Sequence, residues 1–323
     1  MTDAAIVGFG RWGRTLVDAM QGKSDKLRFS HAVSRDPERV RDFAAKHEIA
    51  LLPSLDAALG EPSIRAVVLA TPHSLHVAEV LAAAEAGKHV FCEKPLALGK
   101  AEALRATEAC GRAGIVLGLG TDKRFFPAMQ ELARIAGDGS LGKPLHLEAH
   151  FSNEVAATMF TPWREAPGES PAGGLTGTAI HVLDAMIRMA GPVRRVRAQL
   201  LSHKRPPEPQ DSLSVLIEFA SGISGTLSAV RSTPAYWRVH VFGRDGSAEA
   251  LGRTELVVRK SGDDPQHLRL PPVDSVRANL EAFADAVEGR AAYPIPQDEM
   301  VALAAGCEAI IASAESGGDA VEA

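Results

Sequence analysis

The stretch Ala4-Ala5-Ile6-Val7-Gly8-Phe9-Gly10-Arg11-Trp12-Gly13 decides the fold of this chain. Small and apolar residues predict a buried strand, the glycines are spaced G-x-G-x-x-G, and apolar residues at helical spacing follow. In a strand, turn and helix, the first glycine permits a sharp turn, the second lets the backbone approach a pyrophosphate, and the third lets the helix pack close to the strand. The pattern predicts a dinucleotide-binding Rossmann domain; the alternative is a glycine-rich turn without a ligand.

Strands and helices alternate regularly through the first third of the chain. Apolar segments at residues 28–33, 66–70, 89–92 and 115–119 are typical of buried strands, and segments with helical spacing lie between them. The alternation predicts an α/β domain with a doubly wound parallel sheet, in which ligands bind beyond the carboxyl ends of the strands. The segments expected at those ends are Gly8–Gly13, Ser34-Arg35, Thr71-Pro72 and Glu93-Lys94-Pro95. We expect a dinucleotide-binding domain at residues 1–121 and a second domain at residues 122–323.

Ser34 and Arg35 follow the second strand, where NAD-preferring Rossmann folds place an acid for the ribose 2′-hydroxyl. A hydroxyl and a guanidinium suit a 2′-phosphate better than a carboxylate does, because the cation can form bidentate hydrogen bonds with phosphate. The sequence therefore favours NADP over NAD. The alternatives are that Asp36 takes the ribose position, or that Arg35 only faces solvent.

The composition is that of an ordinary globular protein. The 323 residues are 46% hydrophobic and 23% charged with a net charge of -5, which provides no basic surface for nucleic acid or an anionic membrane. No apolar run is long enough to span a membrane, and no leader-like segment precedes the strand at residue 4, so we expect a cytoplasmic protein. Cys92, Cys110 and Cys307 are far apart and odd in number, which predicts neither a disulfide framework nor a cysteine zinc site.

Alternating apolar and polar residues predict strands in the second half, at Leu145 to Phe151 and at Leu213 to Phe219, and Gly243-Arg244-Asp245-Gly246 predicts a hairpin turn. We expect an α+β domain with an open, mainly antiparallel sheet, whose uncovered face is suited to self-association as a homodimer or homotetramer. The residues of His146-x-Glu148-x-His150 include metal-ligand types, but alternate strand positions are about 7 Å apart, so we expect no metal site. The tail from Ser316 is expected to fray.

Three segments resemble the glucose-fructose oxidoreductase and inositol dehydrogenase family, also called Gfo/Idh/MocA. They are the Gly8–Gly13 turn, Thr71-Pro72 with His76, and Gly87-Lys88-His89-Val90-Phe91-Cys92-Glu93-Lys94-Pro95. Further on, Gly173-Gly174 with His181 and Asp184 is similar to the family's glycine-rich helix with its histidine. The resemblance covers essentially the whole chain. It implies NAD(P)-dependent oxidation or reduction of a sugar, polyol or related carbonyl compound, often by a dimer or tetramer.

The resemblance also implies roles for single residues. The family's lysine matches Lys94 and its histidine matches His181, so both are candidate catalytic residues, and the likeness suggests a cis Lys94-Pro95 bond. An imidazole titrates near neutrality, which suits His181 to proton transfer. Gly177 stands where the family commonly has an aspartate, one helical turn before the histidine. Asp184, three residues after His181, is a possible supporting acid.

Further candidates complete the predicted site. The predicted cofactor-binding residues are Gly8, Phe9, Gly10, Arg11, Trp12, Gly13, Ser34, Arg35, Thr71, Pro72, His76, Glu93 and Lys94. The candidate substrate residues are Arg124, Trp163 and Arg164, for which ordinary surface or interdomain packing is the alternative. A second function class is a non-catalytic dinucleotide-binding sensor or co-regulator. Gly177 in place of an acid favours the sensor, whereas Lys94 and His181 favour the enzyme.

Overall fold

The computed structural model describes residues 1–153, 163, 168–202, 211–231 and 233–323. The strands are β1 Thr2–Val7, β2 Leu27–Val33, β3 Ala50–Leu52, β4 Ala66–Leu69, β5 His89–Cys92, β6 Leu117–Leu119, β7 Pro144–Asn153, β8 Val193–Ser202, β9 Asp211–Phe219, β10 Ser224–Arg231, β11 Tyr236–Gly243, β12 Gly246–Leu251, β13 Glu255–Lys260, β14 Gln266–Arg269 and β15 Val321–Glu322. The helices are α1 Arg11–Met20, α2 Arg41–Lys46, α3 Leu55–Gly60, α4 His76–Glu85, α5 Lys100–Ala113, α6 Pro127–Gly137, α7 Ile180–Ala190, α8 Ser275–Val287 and α9 Gln297–Glu315. A π-helical turn, Leu175–Ala179, directly precedes α7.

The first sheet contains parallel strands in the order β3-β2-β1-β4-β5-β6. Strand β4 and residues 4–7 of β1 are apolar and buried at its centre, as expected for strands covered by helices on both faces. The chain moves outward from β1 to β3 and then returns to β4 beside β1, so the strand order reverses between these two strands. This order confirms the predicted doubly wound sheet, and ligands bind such sheets at the carboxyl ends of the strands where the order reverses.

The first compact unit is not continuous in sequence. It comprises residues 1–97, 101–122 and 274–300. Within it, Phe283 of α8 is fully buried and meets Phe91 of β5 edge-on at 5.6 Å between ring centroids. Asn279 donates a hydrogen bond to the Leu119 carbonyl oxygen at 2.9 Å, and Ser275 donates one to Asp122, also at 2.9 Å. The boundary expected at residue 121 instead assigns residues 274–300 to the second domain.

The second compact unit comprises residues 98–100, 123–273 and 301–323. Its sheet has the order β14-β13-β12-β11-β7-β10-β9-β8-β15. Strands β7 and β10 pair in parallel and the other neighbours are antiparallel, which confirms a mainly antiparallel sheet. The predicted hairpin joins β11 to β12 through Arg244 and Asp245.

The two faces of this second sheet differ. Leu147, Ala149 and Phe151 of β7 are buried on the face where α7 packs. The alternate residues of β7 lie on the opposite face, together with Leu216 and Tyr236, whose side chains are 60% and 48% exposed. Here "open face" denotes this second surface of the nine-stranded sheet.

The carboxyl-terminal residues are ordered, so the prediction of a frayed tail was wrong. Val321 pairs with Val196 and extends the sheet beyond β8. The Ser313 hydroxyl donates to the Asp319 carbonyl oxygen at 2.6 Å and accepts the Ala198 N–H at 2.8 Å. These long-range contacts attach the end of the chain to a distant strand. Within the described ranges, none of the helices has both the length and the apolarity needed to cross a membrane.

Candidate active site

The turn after β1 contains two glycines that the fold itself requires. Gly8 has a φ of +90°, and a Cβ there would lie 2.5 Å from the Ala70 carbonyl oxygen just after β4. A Cβ on Gly13 would overlap the Gly8 carbonyl oxygen. Only glycine therefore allows the turn to pass this close to β4 and allows α1 to begin this close to β1.

Gly10 is different, because the described chain does not require a glycine there. Its φ is -79°, and no described residue lies within 4 Å of a Cβ at this position. It is exposed immediately before α1, whose first N–H groups have no side-chain cap at this residue. The open backbone at the positive end of the helix dipole fits the pyrophosphate of a dinucleotide.

The side chains between these glycines point to different surroundings. Phe9 is buried and meets Phe43 edge-on at 5.5 Å between ring centroids, so its side chain belongs to the core. Arg11 is exposed in the first turn of α1. Trp12 is half-buried, and its indole influences the carboxylate of Glu93. Among these three side chains, Arg11 is therefore the one presented to solvent at the turn.

Ser34 and Arg35 follow β2 at the same edge of the first sheet. Arg35 is exposed and makes no hydrogen bond or ion pair with the residues that the structure describes. The Ser34 hydroxyl donates to the Asp36 carbonyl oxygen at 3.1 Å, and the Asp36 carboxylate accepts the Arg39 N–H at 3.3 Å. The Arg35 guanidinium and the Asp36 carboxylate are therefore both exposed here, and the carboxylate already accepts one backbone N–H.

His76 joins two of the predicted cofactor-binding turns from within the protein. Its ring is fully buried at the start of α4, with Nδ1 2.7 Å from the Pro95 carbonyl oxygen and Nε2 3.1 Å from the Thr71 carbonyl oxygen. The Thr71 hydroxyl donates to Glu79 at 2.5 Å. Burial raises the pKa of the Glu79 carboxyl to about 6, although this hydrogen bond acts to lower it. The ring of His76 thus positions the turns after β4 and β5 and is not presented to solvent.

Lys94 lies half-buried in the turn after β5, and the Lys94–Pro95 bond is cis, as the resemblance implied. The preceding residue, Glu93, is only 6% exposed. A Cβ on Gly120 would lie 2.5 Å from the carboxyl carbon of Glu93, so the absence of a side chain at Gly120 leaves the space that this carboxyl group occupies.

The electrostatic setting of Glu93 is unusual for a carboxylate. Burial raises its pKa to about 7, and the negative charge of Asp122 acts in the same direction. The Trp12 indole and the positive charge of Lys94 act to lower it. A carboxyl group that can change charge near neutral pH therefore lies beside the predicted catalytic lysine.

His181 lies in the first turn of α7 in the second unit. Its side chain is 6% exposed and meets Phe151 of β7 edge-on at 6.0 Å between ring centroids. The neighbouring helix residues Val182 and Leu183 are fully buried. The helix and the contact with Phe151 therefore hold the imidazole against the sheet.

Asp184 and Arg124, for which the sequence predicts different roles, pair with each other. Arg124 Nε donates to Asp184 Oδ2 at 2.7 Å, and Nη2 donates to Oδ1 at 2.6 Å. The two side chains are only 2% and 4% exposed. Because loss of one partner would leave a buried charge, this bidentate pair holds α7 and its His181 against the segment before α6. Their predicted roles as supporting acid and substrate residue stay predictions.

Asp211 and Arg231 are site residues that sequence reasoning missed. Arg231 Nε donates to Asp211 Oδ2 at 2.8 Å, and Asp211 Oδ1 accepts the Gly174 N–H at 3.0 Å. Gly173 has a φ of +59°, and a Cβ on it would lie 2.7 Å from the carboxyl carbon of Asp211. The buried ion pair therefore anchors the glycine turn that leads into the π-helical turn and His181.

A signal for this pair exists in the sequence, although it is weak. The turn at Ser221-Gly222 sets the register of β9 against β10, in which Ser212 pairs with Val230. One position further out, Asp211 and Arg231 face each other. Only the register of the whole hairpin reveals this, because the two residues are far apart in sequence.

The remaining candidates are the substrate residues Trp163 and Arg164 and the segment His146-x-Glu148-x-His150. Trp163 is half-buried, and Arg164 lies outside the described residues. His146 bonds to Ser224 through Nδ1 at 2.8 Å, and Glu148 accepts a hydrogen bond from Arg238 at 2.9 Å. In the part of the chain that the structure describes, no group of three or more His, Cys, Asp or Glu side chains is arranged to hold a metal ion.

Two family models match the chain. An oxidoreductase family with an NAD-binding Rossmann fold matches residues 2–121, and the GFO/IDH/MocA C-terminal domain matches residues 129–249. The chain belongs to the GFO/IDH/MocA oxidoreductase family. This membership confirms the resemblance and the fold class, and it shows that this family member is an NAD(P)-dependent oxidoreductase acting on a CH–OH group, as predicted.

Individual relatives agree with the family assignment. The chain is 27% identical over 253 residues to trans-1,2-dihydrobenzene-1,2-diol dehydrogenase of Bos taurus, covering 76% of this chain and 73% of the relative. It is 26% identical over 268 residues to 1,5-anhydro-D-fructose reductase of Ensifer adhaerens, covering 80% of each. Levoglucosan dehydrogenase in complex with NADH and L-sorbose shares the fold, with a TM-score of 0.87, 23% identity and coverage of 99% and 98% of the two chains.

Proposed function

We propose that this GFO/IDH/MocA protein oxidises or reduces a sugar, polyol or related carbonyl compound, with Lys94 and His181 as its catalytic residues. The observation that carries the proposal is the strand order, which brings the ends of β1, β2, β4 and β5 to one edge of the first sheet. The turn with the open Gly10, the exposed Arg35, and Lys94 all follow those ends. Two of the relatives are named for a diol and for a sugar derivative, which supports this substrate class.

The proposed chemistry assigns a separate task to each residue. A bound nicotinamide coenzyme would supply the acceptor or the donor of the hydride that the reacting carbon loses or gains. Lys94 donates a hydrogen bond to the reacting oxygen and so stabilises the negative charge that develops on it. His181 accepts the hydroxyl proton as the alcohol becomes a carbonyl, and it returns the proton in the opposite direction. Proton and hydride thus leave or enter the same C–O group.

The proposed coenzyme preference is NADP. Its support is the exposed Arg35 cation, together with the backbone partner of the Asp36 carboxylate, which leaves that carboxylate less suited to a ribose hydroxyl. Titrations of the purified chain with NADPH and NADH test the preference. Tighter binding of NADH would show that the 2′-phosphate argument is wrong.

Two further predictions extend the proposal. We expect a homodimer or homotetramer formed through the open face, because Leu216 and Tyr236 expose large apolar surfaces there. Size-exclusion chromatography with light scattering of wild type and Leu216→Glu tests this expectation. A cytoplasmic location is supported by Cys92, Cys110 and Cys307, which are buried thiols of the kind kept reduced in that compartment.

Replacement of His181 tests the catalytic assignment. We expect His181→Ala to lower turnover by roughly 10² to 10⁴-fold, because a positioned general acid and base contributes about this much. The assay follows reduced-nicotinamide absorbance with a panel of myo-inositol, 1,5-anhydro-D-glucitol, D-glucose and D-gluconate. Coenzyme affinity should stay unchanged, since His181 is not among the predicted coenzyme-binding residues.

The matched control is His267→Ala, which removes an exposed histidine from β14 and should leave turnover unchanged. Equal turnover by wild type and His181→Ala on a real substrate would remove His181 from the mechanism. A wild-type chain that binds a coenzyme and turns over none of a broad panel would instead favour the sensor.

A further inference from the structure

The carboxyl group of Glu93 is buried near a second carboxyl group. Glu93 is 6% exposed and occupies the space that the missing side chain of Gly120 leaves, and Asp122, which follows β6, is 5% exposed. The negative charge of Asp122 opposes ionisation of Glu93, as burial does. The positive charge of Lys94 favours ionisation, and the Lys94 N–H donates to Glu93 Oε2 at 3.3 Å. All four residues belong to the first compact unit.

Three further groups surround this pair of carboxyl groups. The Trp12 indole of α1 acts to lower the pKa of Glu93, and the Ser275 hydroxyl of α8 donates to Asp122 at 2.9 Å. The thiol of Cys92, which precedes Glu93, stays neutral because burial raises its pKa well above the ordinary value. Together these surroundings leave the pKa of Glu93 raised to about 7. Glu93 therefore exchanges a proton with solvent near neutral pH.

Two buried carboxylates of the second unit show the contrast. Asp184 receives two hydrogen bonds from the Arg124 guanidinium, and Asp211 pairs with Arg231. In both pairs the arginine charge stabilises the carboxylate form. Glu93 is instead close to the midpoint of its titration, so the approach of one further charge would change its protonation. A positive charge would release the proton, whereas a neutral group would leave it in place.

The coenzyme supplies such a charge in only one of its two forms. The nicotinamide ring is positively charged when oxidised and neutral when reduced. In the proposed function Lys94 contacts the reacting oxygen, and hydride exchange requires the ring to meet the carbon that bears this oxygen. The ring charge must then come near the Glu93-Lys94 turn. A unit charge roughly 10 Å away in a partly buried setting changes proton affinity about tenfold.

We propose that Glu93 links proton exchange to the oxidation state of the bound coenzyme. The O–H bond of its carboxyl group breaks and the proton passes to solvent when the oxidised form binds, and the proton stays when the reduced form binds. The charge gained with the ring is thus offset by the carboxylate, and the preference for oxidised over reduced coenzyme rises with pH. This inference rests on the proposed function, in which Lys94 contacts the reacting oxygen.

Titration calorimetry in buffers of different ionisation enthalpy counts the protons exchanged when NADP⁺ or NADPH binds. At pH 7 we expect NADP⁺ to release about 0.4 proton more per molecule bound than NADPH, because the ring charge moves the titration midpoint of Glu93 by about tenfold in proton concentration. Between pH 6 and pH 8, the Kd of NADP⁺ should fall about fivefold relative to that of NADPH. The two forms share their phosphates, so proton exchange by those groups cancels in the comparison.

Glu93→Gln should abolish both differences, since the amide keeps the shape of the side chain and has no proton to lose. The matched control Glu102→Gln removes an exposed carboxyl group of α5 and should behave as wild type. Asp122→Asn removes the like charge and should move the maximum of proton release to lower pH. Release that persists in Glu93→Gln and is lost in His181→Ala would overturn the inference and assign the proton to the imidazole.

The remaining outcomes separate this inference from the function on which it rests. Equal proton release with NADP⁺ and NADPH, in a wild-type chain that turns over a sugar or polyol, would overturn the role of Glu93 alone. Release that depends on Glu93, in a wild-type chain that turns over no sugar or polyol, would overturn the proposed function and support the linkage of proton exchange to coenzyme binding.

Discussion

The two glycine-rich segments of this protein are built alike but are held differently. In each segment there are two glycines at which a Cβ would lie within about 3 Å of neighbouring atoms. They are Gly8 and Gly13 in the first segment, and Gly173 and Gly174 in the second. Each segment also has one glycine, Gly10 or Gly177, that no described residue requires. The comparison teaches that a glycine motif contains two kinds of position, those where the folded chain has no room for a side chain and those where the described chain leaves that room.

A buried carboxyl group lies beside each segment. Asp211 is paired with Arg231 and accepts the Gly174 N–H, so its charge is balanced by a neighbouring cation. Glu93, beside Trp12 of the first turn, is buried enough that its pKa is raised to about 7. The second segment is thus anchored by an ion pair, whereas the first lies beside a group whose charge can vary with pH.

The largest expected effect separates the two kinds of glycine within the first turn. Gly13→Ala should lower the free energy of unfolding by about 3 kcal/mol or more, because its Cβ would overlap the Gly8 carbonyl oxygen. Gly10→Ala should leave Tm nearly unchanged and weaken coenzyme binding by about tenfold or more, since the added methyl group lies where the phosphates approach. Thermal unfolding and coenzyme titration measure the two effects. Equal losses of stability in both variants would contradict the distinction.

A smaller effect on stability is expected from loss of the Asp211–Arg231 ion pair, which anchors the Gly173-Gly174 turn. Asp211→Asn should lower the free energy of unfolding by about 2 to 4 kcal/mol, because it removes the negative charge that faces the Arg231 guanidinium in a largely buried ion pair. The control is Glu218→Gln, whose carboxylate pairs with Arg194 and Arg195 at a more exposed site and should change stability by about 1 kcal/mol or less. Urea unfolding of both variants measures the difference. A loss no greater than that of the control would mean that the ion pair does not anchor the turn.

The smallest effect concerns the pH dependence of stability through Glu93. Because its pKa is raised in the folded protein, its stabilising contribution is complete below pH of about 4.5 and is lost as the pH rises through about 7. Glu93→Gln should remove this dependence and stabilise the protein at pH 8 by about 2 kcal/mol relative to wild type. Unfolding at pH 5.5 and pH 8 measures the change. Glu102→Gln, which removes an exposed carboxyl group of α5, should show the wild-type dependence.

Local patterns were sufficient for much of the fold. The strand alternation, the Gly8–Gly13 turn and the hairpin at Arg244 and Asp245 were predicted correctly, because each depends on residues close together in sequence. The roles of His76 and the pairing of Asp184 with Arg124 could not be predicted in this way. Each depends on which distant turn or segment lies against the side chain. The helical spacing of apolar residues around His181 does not reveal which segment that is.

By itself, the amino-acid sequence determined the order of strands and helices, the dinucleotide motif and the residues that resemble a known family, because periodicity and glycine spacing act over a few neighbouring positions. Only the tertiary structure decided that residues 274–300 join the first unit, that Asp211 and Arg231 anchor the turn before His181, and that the tail pairs with β8. These features arise from contacts between distant segments. Their stability comes from burial and charge pairing, which exist only once the chain has folded.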